Sequence, residues 1–293
     1  MKKVVIIGAS IAGHTVATAL RQQNKDAAIT LLTQEKFSLY DKRRLLDFLS
    51  GKAKEKDLML ATEASYKENN IDFIKEAEVV GMSTHKRLLH IKDEDSINYD
   101  FLVICSGTSF VFPQISGVHK EGVFGPASLT DCKELSKFFM GDSFSVSGSG
   151  DYALKFANAL ASRGKEIRLF SPDGVNPQDL PAGIELMNTE ITEIIGEAEV
   201  LGVRIKEGKI VGTSAVIFAD KFAGNIDFIK NTGIETNNGL ICVDENKETN
   251  IKNILACGSV SYNRANGNSP KSWDESAQDA QILTQVLANK IIS

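Results

Sequence analysis

The strand, turn and helix that start this chain read Lys3-Val4-Val5-Ile6-Ile7-Gly8-Ala9-Ser10-Ile11-Ala12-Gly13. Four consecutive β-branched residues predict a fully buried strand, and Gly8 ends it. Residues 11–23 then carry apolar side chains at helical spacing, and Gly13 stands where the helix must pack closely against the strand. Together they predict the start of a dinucleotide-binding unit, in which unpaired N–H groups at the helix N-terminus bind a diphosphate.

The glycine motif of this first unit is imperfect. Ser10 occupies the place of the middle glycine and brings a Cβ close to the phosphate. An ordinary strand–turn–helix therefore stays open as an alternative for this stretch alone. A signal peptide is not expected, although Lys2 and Lys3 precede the apolar run, because glycine and serine interrupt that run and no small-residue cleavage site follows.

Composition narrows the class of protein. The 293 residues are enough for two domains, and 42% hydrophobic and 24% charged residues are typical of a globular chain. A net charge of −5 argues against a nucleic-acid surface, and no apolar stretch is long enough to cross a bilayer. No metal-ligand spacing occurs, so we expect no metal site. We expect buried, reduced thiols in a cytoplasmic protein from four scattered cysteines, Cys105, Cys132, Cys242 and Cys257.

A second buried strand is predicted at residues 27–32, one helix after the first. The acid that binds ribose hydroxyls in a dinucleotide-binding unit stands near the end of this strand, and Glu35 is the candidate. A solvated surface position for Glu35 is an equal alternative. Residues 40–52 follow and are cationic at Lys42–Arg44, where they face either an anionic cofactor or solvent.

Two later stretches continue the pattern. Residues 99–108, Tyr99-Asp100-Phe101-Leu102-Val103-Ile104-Cys105-Ser106-Gly107-Thr108, predict a buried strand that ends in Ser and Gly. Residues 143–170 repeat strand, turn and helix around Gly148-Ser149-Gly150-Asp151-Tyr152-Ala153. This G-x-G-x-x-A pattern keeps both phosphate-approach glycines and has Ala153 at the packing position. Two such units support nucleotide binding far better than either unit does alone.

Three stretches resemble the pyridine nucleotide–disulfide oxidoreductase superfamily, most closely its NADH:rubredoxin oxidoreductase and nitrite reductase flavoprotein branch. Residues 40–52 are similar to its Tyr-x-Arg-Pro-Arg-Leu…Leu-x-Gly-Lys segment, and residues 99–107 to its Tyr-Asp-x-Leu-Val-Ile-Ala-Thr-Gly strand. Residues 253–260 resemble its Ile-x-Ala-x-Gly-Asp-Val strand. In that family the first unit holds FAD and the second holds NAD(P)H.

The resemblance assigns expected roles to individual residues. Residues 40–52 border FAD, the backbone of Val79 meets the adenine, and the start of the last helix near Trp273 lies beside the flavin. No catalytic acid or base is singled out. With the two glycine motifs, the residues expected to contact FAD are Gly8, Ser10, Ile11, Ala12, Gly13, Glu35, Lys42, Arg44, Val79, Ser106, Gly107, Gly258, Ser259 and Trp273. Those expected to contact NAD(P)H are Gly148, Gly150 and Ala153.

The chain also departs from the family pattern. Ser259 stands where the family has an Asp that binds the FAD chain, and Ser106 replaces a Thr. No acid follows directly after the second unit's strand at residues 166–170, and a proline-containing loop takes the place of a further helix. The interface domain that follows in the rubredoxin reductase branch has no counterpart here. Because the proline-containing loop replaces a helix, the second domain is expected to be shortened.

The fold class expected is α/β, with two nested Rossmann-like (FAD/NAD(P)-binding) domains of three-layer ββα/βαβ architecture. Residues 1–111 and 222–293 form a discontinuous FAD-binding domain in this prediction. Residues 112–221 form the shortened NAD(P)-binding domain.

The function expected is that of a FAD-dependent oxidoreductase that accepts hydride from NAD(P)H. No cysteine lies beside residues 42–51, so electrons pass directly to an acceptor rather than through a redox-active disulfide. A small redox protein, a quinone-like molecule and oxygen are the acceptors considered. The alternative is a flavin- or nucleotide-binding protein of the same fold, with a degenerate NAD(P)H site and no reductase activity.

Overall fold

The computed structural model describes residues 1–176, 178, 180, 182–265, 267 and 271–292. The helices are α1 (Ile11–Gln23), α2 (Leu45–Ser50), α3 (Glu63–Glu68), α4 (Leu129–Lys137), α5 (Asp151–Ala161) and α6 (Trp273–Ile292). The strands are β1 (Lys3–Ile7), β2 (Ala28–Leu32), β3 (Ile71–Ile74), β4 (Val79–Ser83), β5 (Leu88–Ile91), β6 (Ile97–Asn98), β7 (Phe101–Ile104), β8 (Thr108–Phe110), β9 (Val123–Phe124), β10 (Ser143–Ser147), β11 (Glu166–Phe170), β12 (Ile184–Met187), β13 (Ile191–Ile195), β14 (Gly202–Ile205), β15 (Ile210–Gly212), β16 (Ala215–Phe218), β17 (Phe222–Gly224), β18 (Thr236–Asn237), β19 (Leu240–Val243), β20 (Ile254–Ala256) and β21 (Ser261–Asn263).

The chain divides into two compact units. The first unit comprises Met1–Tyr40, Met59–Thr108 and Ala223–Ser293, and the second comprises Asp41–Leu58 and Ser109–Phe222. Each unit has its own five-stranded parallel sheet.

The first unit has three layers around a five-stranded parallel sheet in the order β20-β7-β1-β2-β3. Side chains of β1 alternate between the two faces. Val4 and Ile6 pack in one core with α1 and α6, while Val5 and Ile7 pack in another with the antiparallel sheet β4-β5-β6. Both faces of β1 are covered, which explains its unbroken run of apolar residues.

The second unit repeats this arrangement. Its parallel sheet has the order β12-β11-β10-β16-β9, and a three-stranded antiparallel sheet, β13-β14-β15, packs on one face through Ile194, Val203 and Val216. On α5, Ala153, Phe156 and Leu160 are buried. The predicted α/β fold with three-layer units is therefore confirmed.

The unit boundaries differ from the predicted domain boundaries by three residues at 109–111, by one at 222, and by one whole segment. Residues 41–58, expected in the first domain, belong to the second unit. The reason is a long-range contact: Arg163, just after α5, donates through Nε to the Leu49 carbonyl at 2.8 Å and so caps the C-terminal end of α2. A side chain 114 positions away could not be matched to this helix end from the sequence.

Two connecting segments complete the second unit. Residues 113–126, which contain three glycines and two prolines, include β9, and β9 pairs in parallel with β16 as an edge strand. Residues 171–183 connect β11 to β12, and their described part forms turns and bends without a helix, as the prolines predict.

Candidate functional site

The first glycine turn is shaped by two close backbone approaches. Gly8 adopts φ +103°, and a Cβ there would overlap the carbonyl oxygen of Cys105 at the end of β7. A Cβ at Gly13 would overlap the Gly8 carbonyl, so α1 lies directly against the turn. The Gly8 N–H donates to the Leu32 carbonyl at 2.8 Å, which holds the turn at the carboxyl end of the parallel strands. Only glycine is compatible with either position.

The N-terminus of α1 offers free donors. Ser10 is its N-cap residue in an extended conformation, and within the described structure its side chain makes no capping hydrogen bond. The first turn of α1 carries no acid, and Ile11 and Ala12 contribute its first N–H groups. Unpaired N–H groups and the positive end of the helix dipole make this a site suited to an anion.

Two further turns meet α1 at the same carboxyl end of the parallel strands. Gly258, after β20, has φ +78°, and a Cβ there would stand 3.0 Å from the Ala12 Cβ. A Cβ at Gly107, after β7, would stand 3.7 Å from Ser259 Oγ. The turns after three neighbouring strands, β20, β7 and β1, therefore converge on the start of α1.

Asn225 fastens one of these turns. Its backbone N–H donates to the Gly107 carbonyl at 3.0 Å, and its Nδ2 donates to the Ser106 carbonyl at 3.0 Å. Ser106 Oγ is buried and has no hydrogen-bond partner among the described residues. The residues brought together in the first unit are thus Gly8, Ser10, Ile11, Ala12, Gly13, Ser106, Gly107, Gly258 and Ser259.

Three other predicted residues of the first unit lie apart from this cluster in the chain. Glu35, half-buried after β2, accepts a 2.6 Å hydrogen bond from the Tyr40 hydroxyl. Val79 begins β4 and packs at the edge of the core between the two sheets. Trp273 is the first residue of α6, where Ser272 and Glu275 exchange hydrogen bonds as a capping box.

Lys42 and Arg44 lie in the second unit, on a short 3-10 helix, Lys42–Arg44. Arg44 donates to the Asp57 carbonyl at 2.6 Å and to Asp47 at 3.4 Å. Asp41 caps this helix, and its hydrogen bond from the Arg43 side chain lowers the pKa of the Asp41 carboxyl. The segment is held by its own charges, and the predicted role of Lys42 and Arg44 at FAD stays a prediction.

The second glycine turn has the same hydrogen bonds as the first. The Gly148 N–H donates to the Phe170 carbonyl at 3.0 Å, and a Cβ at Gly148 would stand 2.9 Å from both Ala153 Cβ and the Ala219 carbonyl oxygen. Gly150 is roomier, since a Cβ there would meet none of the described atoms within 4 Å. The predicted residues Gly148, Gly150 and Ala153 therefore form a turn around the start of α5.

The helix end at this second turn carries an acid. Asp151 occupies the first turn of α5 and pairs with Lys155 at 2.6 Å. A carboxylate at a helix N-terminus stabilises the helix but repels a second anion. The second turn is thus shaped for a diphosphate but is electrostatically less favourable than the first.

Comparison with known proteins identifies the family. A profile described as pyridine nucleotide-disulphide oxidoreductase matches residues 2–173 and 180–280. The chain belongs to this family. The superfamily that the sequence resembles is therefore confirmed, and FAD with NAD(P)H as electron donor is the cofactor pair of the family.

The relatives within this oxidoreductase family are distant in sequence, but their matches extend over most of the chain. The chain is 29% identical to an NADH oxidase of Methanocaldococcus jannaschii, across 87% of this chain and 62% of that protein. It is 27% identical to an NADH-rubredoxin oxidoreductase of Clostridium acetobutylicum, across 88% and 68%. The chain thus spans roughly two thirds of the length of these curated relatives.

A solved structure supports the fold. The covalent putidaredoxin reductase–putidaredoxin complex contains a chain that matches with a TM-score of 0.87 and 18% identity, across 98% of this chain and 75% of that one. Across the described residues, the structure has no helix long and apolar enough to cross a membrane and no group of three or more His, Cys, Asp or Glu side chains arranged to hold a metal.

Sequence reasoning missed a buried ion cluster of this family member. Asp279 on α6 accepts from Lys247 at 2.6 Å and from Lys271, and all three side chains are at most 12% exposed. Lys271 also donates to Ser261 Oγ at 2.9 Å, and Ser261 donates to the Gly258 carbonyl at 2.9 Å. The cluster therefore braces the turn that meets α1. The sequence signal that could have revealed this cluster is Asp279 itself, an acid on the apolar face of α6, three residues after Ser276.

A pair of thiols lies behind the first glycine turn. Cys105 and Cys257 directly follow the adjacent strands β7 and β20. Their Sγ atoms are 3.5 Å apart, and both thiols are buried and free. The hydrogen bond with Cys257, together with burial, raises the pKa of the Cys105 thiol well above its ordinary value. The Cys105 thiol therefore stays protonated and is a poor nucleophile, and the buried pair is unsuited to disulphide exchange with a substrate.

Proposed function

We propose that this protein is a FAD-dependent oxidoreductase that accepts hydride from NAD(P)H and passes the electrons to a separate acceptor. The proposal rests on the repeated glycine turn at the start of α1 and of α5. Each turn lies at the carboxyl end of the central strand of a parallel sheet. Family membership supports the same pair of nucleotides.

FAD is assigned to the first unit. The α1 N-terminus would bind its diphosphate, because donors there lack side-chain caps within the described structure. Ser259 and Ser10 would supply hydroxyl groups, Glu35 would accept from the ribose, and Val79 and Trp273 would contact the two ring systems. Lys42 and Arg44 are proposed to border the cofactor as cations. When bound, the flavin supplies the two-electron chemistry, and the protein fixes the cofactor and excludes water.

The nicotinamide nucleotide is assigned to the second unit. Gly148 and Ala153 keep the turn close to α5, and the open space at Gly150 leaves room for a diphosphate. The N–H groups at the start of α5 would bind the phosphate oxygens, as in the first unit.

Electrons are proposed to leave the flavin without a redox-active disulphide. A thiol pair among the described residues, Cys105 and Cys257, is buried, and the contact with Cys257 together with burial raises the pKa of the Cys105 thiol. A small redox protein, a quinone-like molecule or oxygen would then be the direct acceptor, and the relatives named NADH-rubredoxin oxidoreductase and NADH oxidase favour the first and last. Free, buried cysteines are compatible with a reducing compartment such as the cytoplasm.

A second candidate is a flavin-binding protein without reductase activity. Asp151 at the N-terminus of α5 favours it, since a carboxylate there opposes a diphosphate. This candidate predicts FAD uptake in the first unit and no reaction with either nicotinamide nucleotide.

Anaerobic titration separates the two candidates. Purified protein loaded with FAD should show flavin absorbance, and addition of NADH or NADPH should bleach it. A flavin that stays oxidised with both donors would support the second candidate, and a protein that takes up no FAD would overturn both. Gly8→Ala serves as the variant without a first turn, and Gly150→Ala in the second unit is its matched control for FAD uptake alone.

A further inference from the structure

The turn after β11 is held by hydrogen bonds and carries one exposed carboxylate. Ser171 is fully buried, and its Oγ lies 3.0 Å from Ser149 Oγ and 2.9 Å from the Gly174 carbonyl oxygen. The Gly174 N–H donates to the Ser171 carbonyl at 3.0 Å, which closes a tight turn with Pro172 inside it. The Ser171 hydroxyl is therefore fully engaged.

Asp173 is the acid that this turn presents. It follows Pro172, is exposed, and among the residues the structure describes no cation forms an ion pair with it. The contact between Ser171 and Ser149 holds this turn against the residues between the two glycines of the second unit. In a dinucleotide-binding unit, the end of the second strand lies beside the adenosine ribose.

The stretch of sequence that contains Asp173 is acidic. From residue 169 to residue 203 the sequence contains seven acids and no Lys or Arg. The nearest cation on α5, Lys155, is already paired with Asp151. A free ribose diol can donate two hydrogen bonds to a carboxylate, whereas a 2′-phosphate carries between one and two negative charges and needs a cationic partner.

We infer that the second unit takes NADH in preference to NADPH, with Asp173 as the residue that determines this specificity. The inference rests on the proposed function, because it concerns the same nucleotide site. Asp173 would accept from the ribose hydroxyls of NADH and repel the 2′-phosphate of NADPH.

Calorimetric titration of the FAD-loaded full chain with NAD⁺ and with NADP⁺ tests the inference without turnover. NAD⁺ should bind about tenfold or more tightly than NADP⁺, since like charges placed together are strongly unfavourable. Asp173→Asn should narrow this ratio, and Asp173→Arg should invert it. Asp142→Arg makes the same charge change at the opposite end of β10 and should leave the ratio unchanged.

Each other outcome has a distinct meaning. Equal or tighter binding of NADP⁺ would overturn the inference while the proposed function stands. An unchanged ratio in Asp173→Asn would overturn the role of Asp173. If neither nucleotide binds and neither NADH nor NADPH bleaches the flavin, the proposed reductase function fails together with the inference.

Discussion

The two glycine turns are built on one backbone plan and differ in their electrostatics. In the first unit the Gly8 N–H donates to Leu32 and the Cys105 N–H donates to Ile7. In the second, Gly148 donates to Phe170 and the Ala219 N–H donates to Ser147. Four of the five parallel strands also follow the same spatial order in both sheets, whereas the fifth is the last strand of its sheet along the chain in the first unit, β20, and the first in the second unit, β9.

The differences lie at the helix N-termini and in the support behind them. α1 starts without an acid and lies so close to its turn that Gly13 has no space for a methyl group, whereas α5 starts with Asp151 and accommodates the methyl group of Ala153 at the equivalent position. A buried ion cluster braces the first turn through Gly258. One backbone motif can therefore provide one site that favours an anion strongly and another that favours it less.

A glycine-to-alanine change should be far more damaging at the crowded Gly8 of the first turn than at the open Gly150 of the second. Gly8→Ala should lower the free energy of unfolding by more than about 4 kcal/mol and abolish FAD uptake, because the methyl group overlaps the Cys105 carbonyl at a positive φ. Gly150→Ala should change it by less than about 1 kcal/mol. Urea unfolding followed by Trp273, the single tryptophan, measures the first unit, and far-UV circular dichroism measures the whole chain. Equal stability of the two variants would contradict the comparison.

Removing Asp279 should be the next most damaging change. Asp279→Ala leaves the Lys247 and Lys271 ammonium groups buried without their shared partner, which should cost about 3 kcal/mol. The control is Glu185→Ala in the second unit, which breaks an exposed pair with Arg168 and should cost less than about 1 kcal/mol. The midpoint of urea unfolding checks both, and a cost for Asp279→Ala no larger than the control's would show that the cluster gives no support.

Neutralising the acid of the second turn should strengthen nucleotide binding. Asp151→Asn removes a negative charge from the N-terminus of α5, so NAD⁺ should bind about two- to fivefold more tightly. The helix itself should lose about 0.5 kcal/mol of stabilisation. Calorimetry with NAD⁺ measures the first effect, and Asp142→Asn is the control for charge at a distance. Weaker binding by Asp151→Asn would mean that the carboxylate contributes to the site.

The smallest effect concerns pH. Burial lowers the pKa of His14 on α1, so His14 is neutral in the folded first unit and gains a proton on unfolding below about pH 6.5. Its contribution to stability is therefore present above that pH and is lost as the pH falls. His14→Gln, which keeps a polar group facing Tyr66, should show a smaller loss of stability between about pH 7.5 and pH 5.5 than the wild-type protein. Equal losses would show that His14 contributes nothing to this dependence.

Much of the fold could be predicted from local sequence. The strand predicted at residues 166–170 has the predicted bounds, and the predicted second unit begins with β10 at residue 143. Each glycine turn is specified by neighbours within a few positions, because strand burial, turn conformation and helix start are all short-range properties.

The candidate site could be predicted only in part. Gly8, Gly13, Gly107 and Gly258 have backbone conformations or close approaches that make glycine necessary, and a motif identifies such positions. The Asp279 cluster and the Ser171 contact with Ser149 join residues from separate elements, so no local pattern contains them.

The amino-acid sequence by itself determined two nucleotide-type units, the positions of their glycine turns and the family. Only the tertiary structure decided that residues 41–58 belong to the second unit, that β9 completes its sheet, and which charges support each turn. The physical reason is distance along the chain: backbone conformation follows from neighbouring residues, whereas ion pairs, helix caps and strand partners form between residues that only folding brings together.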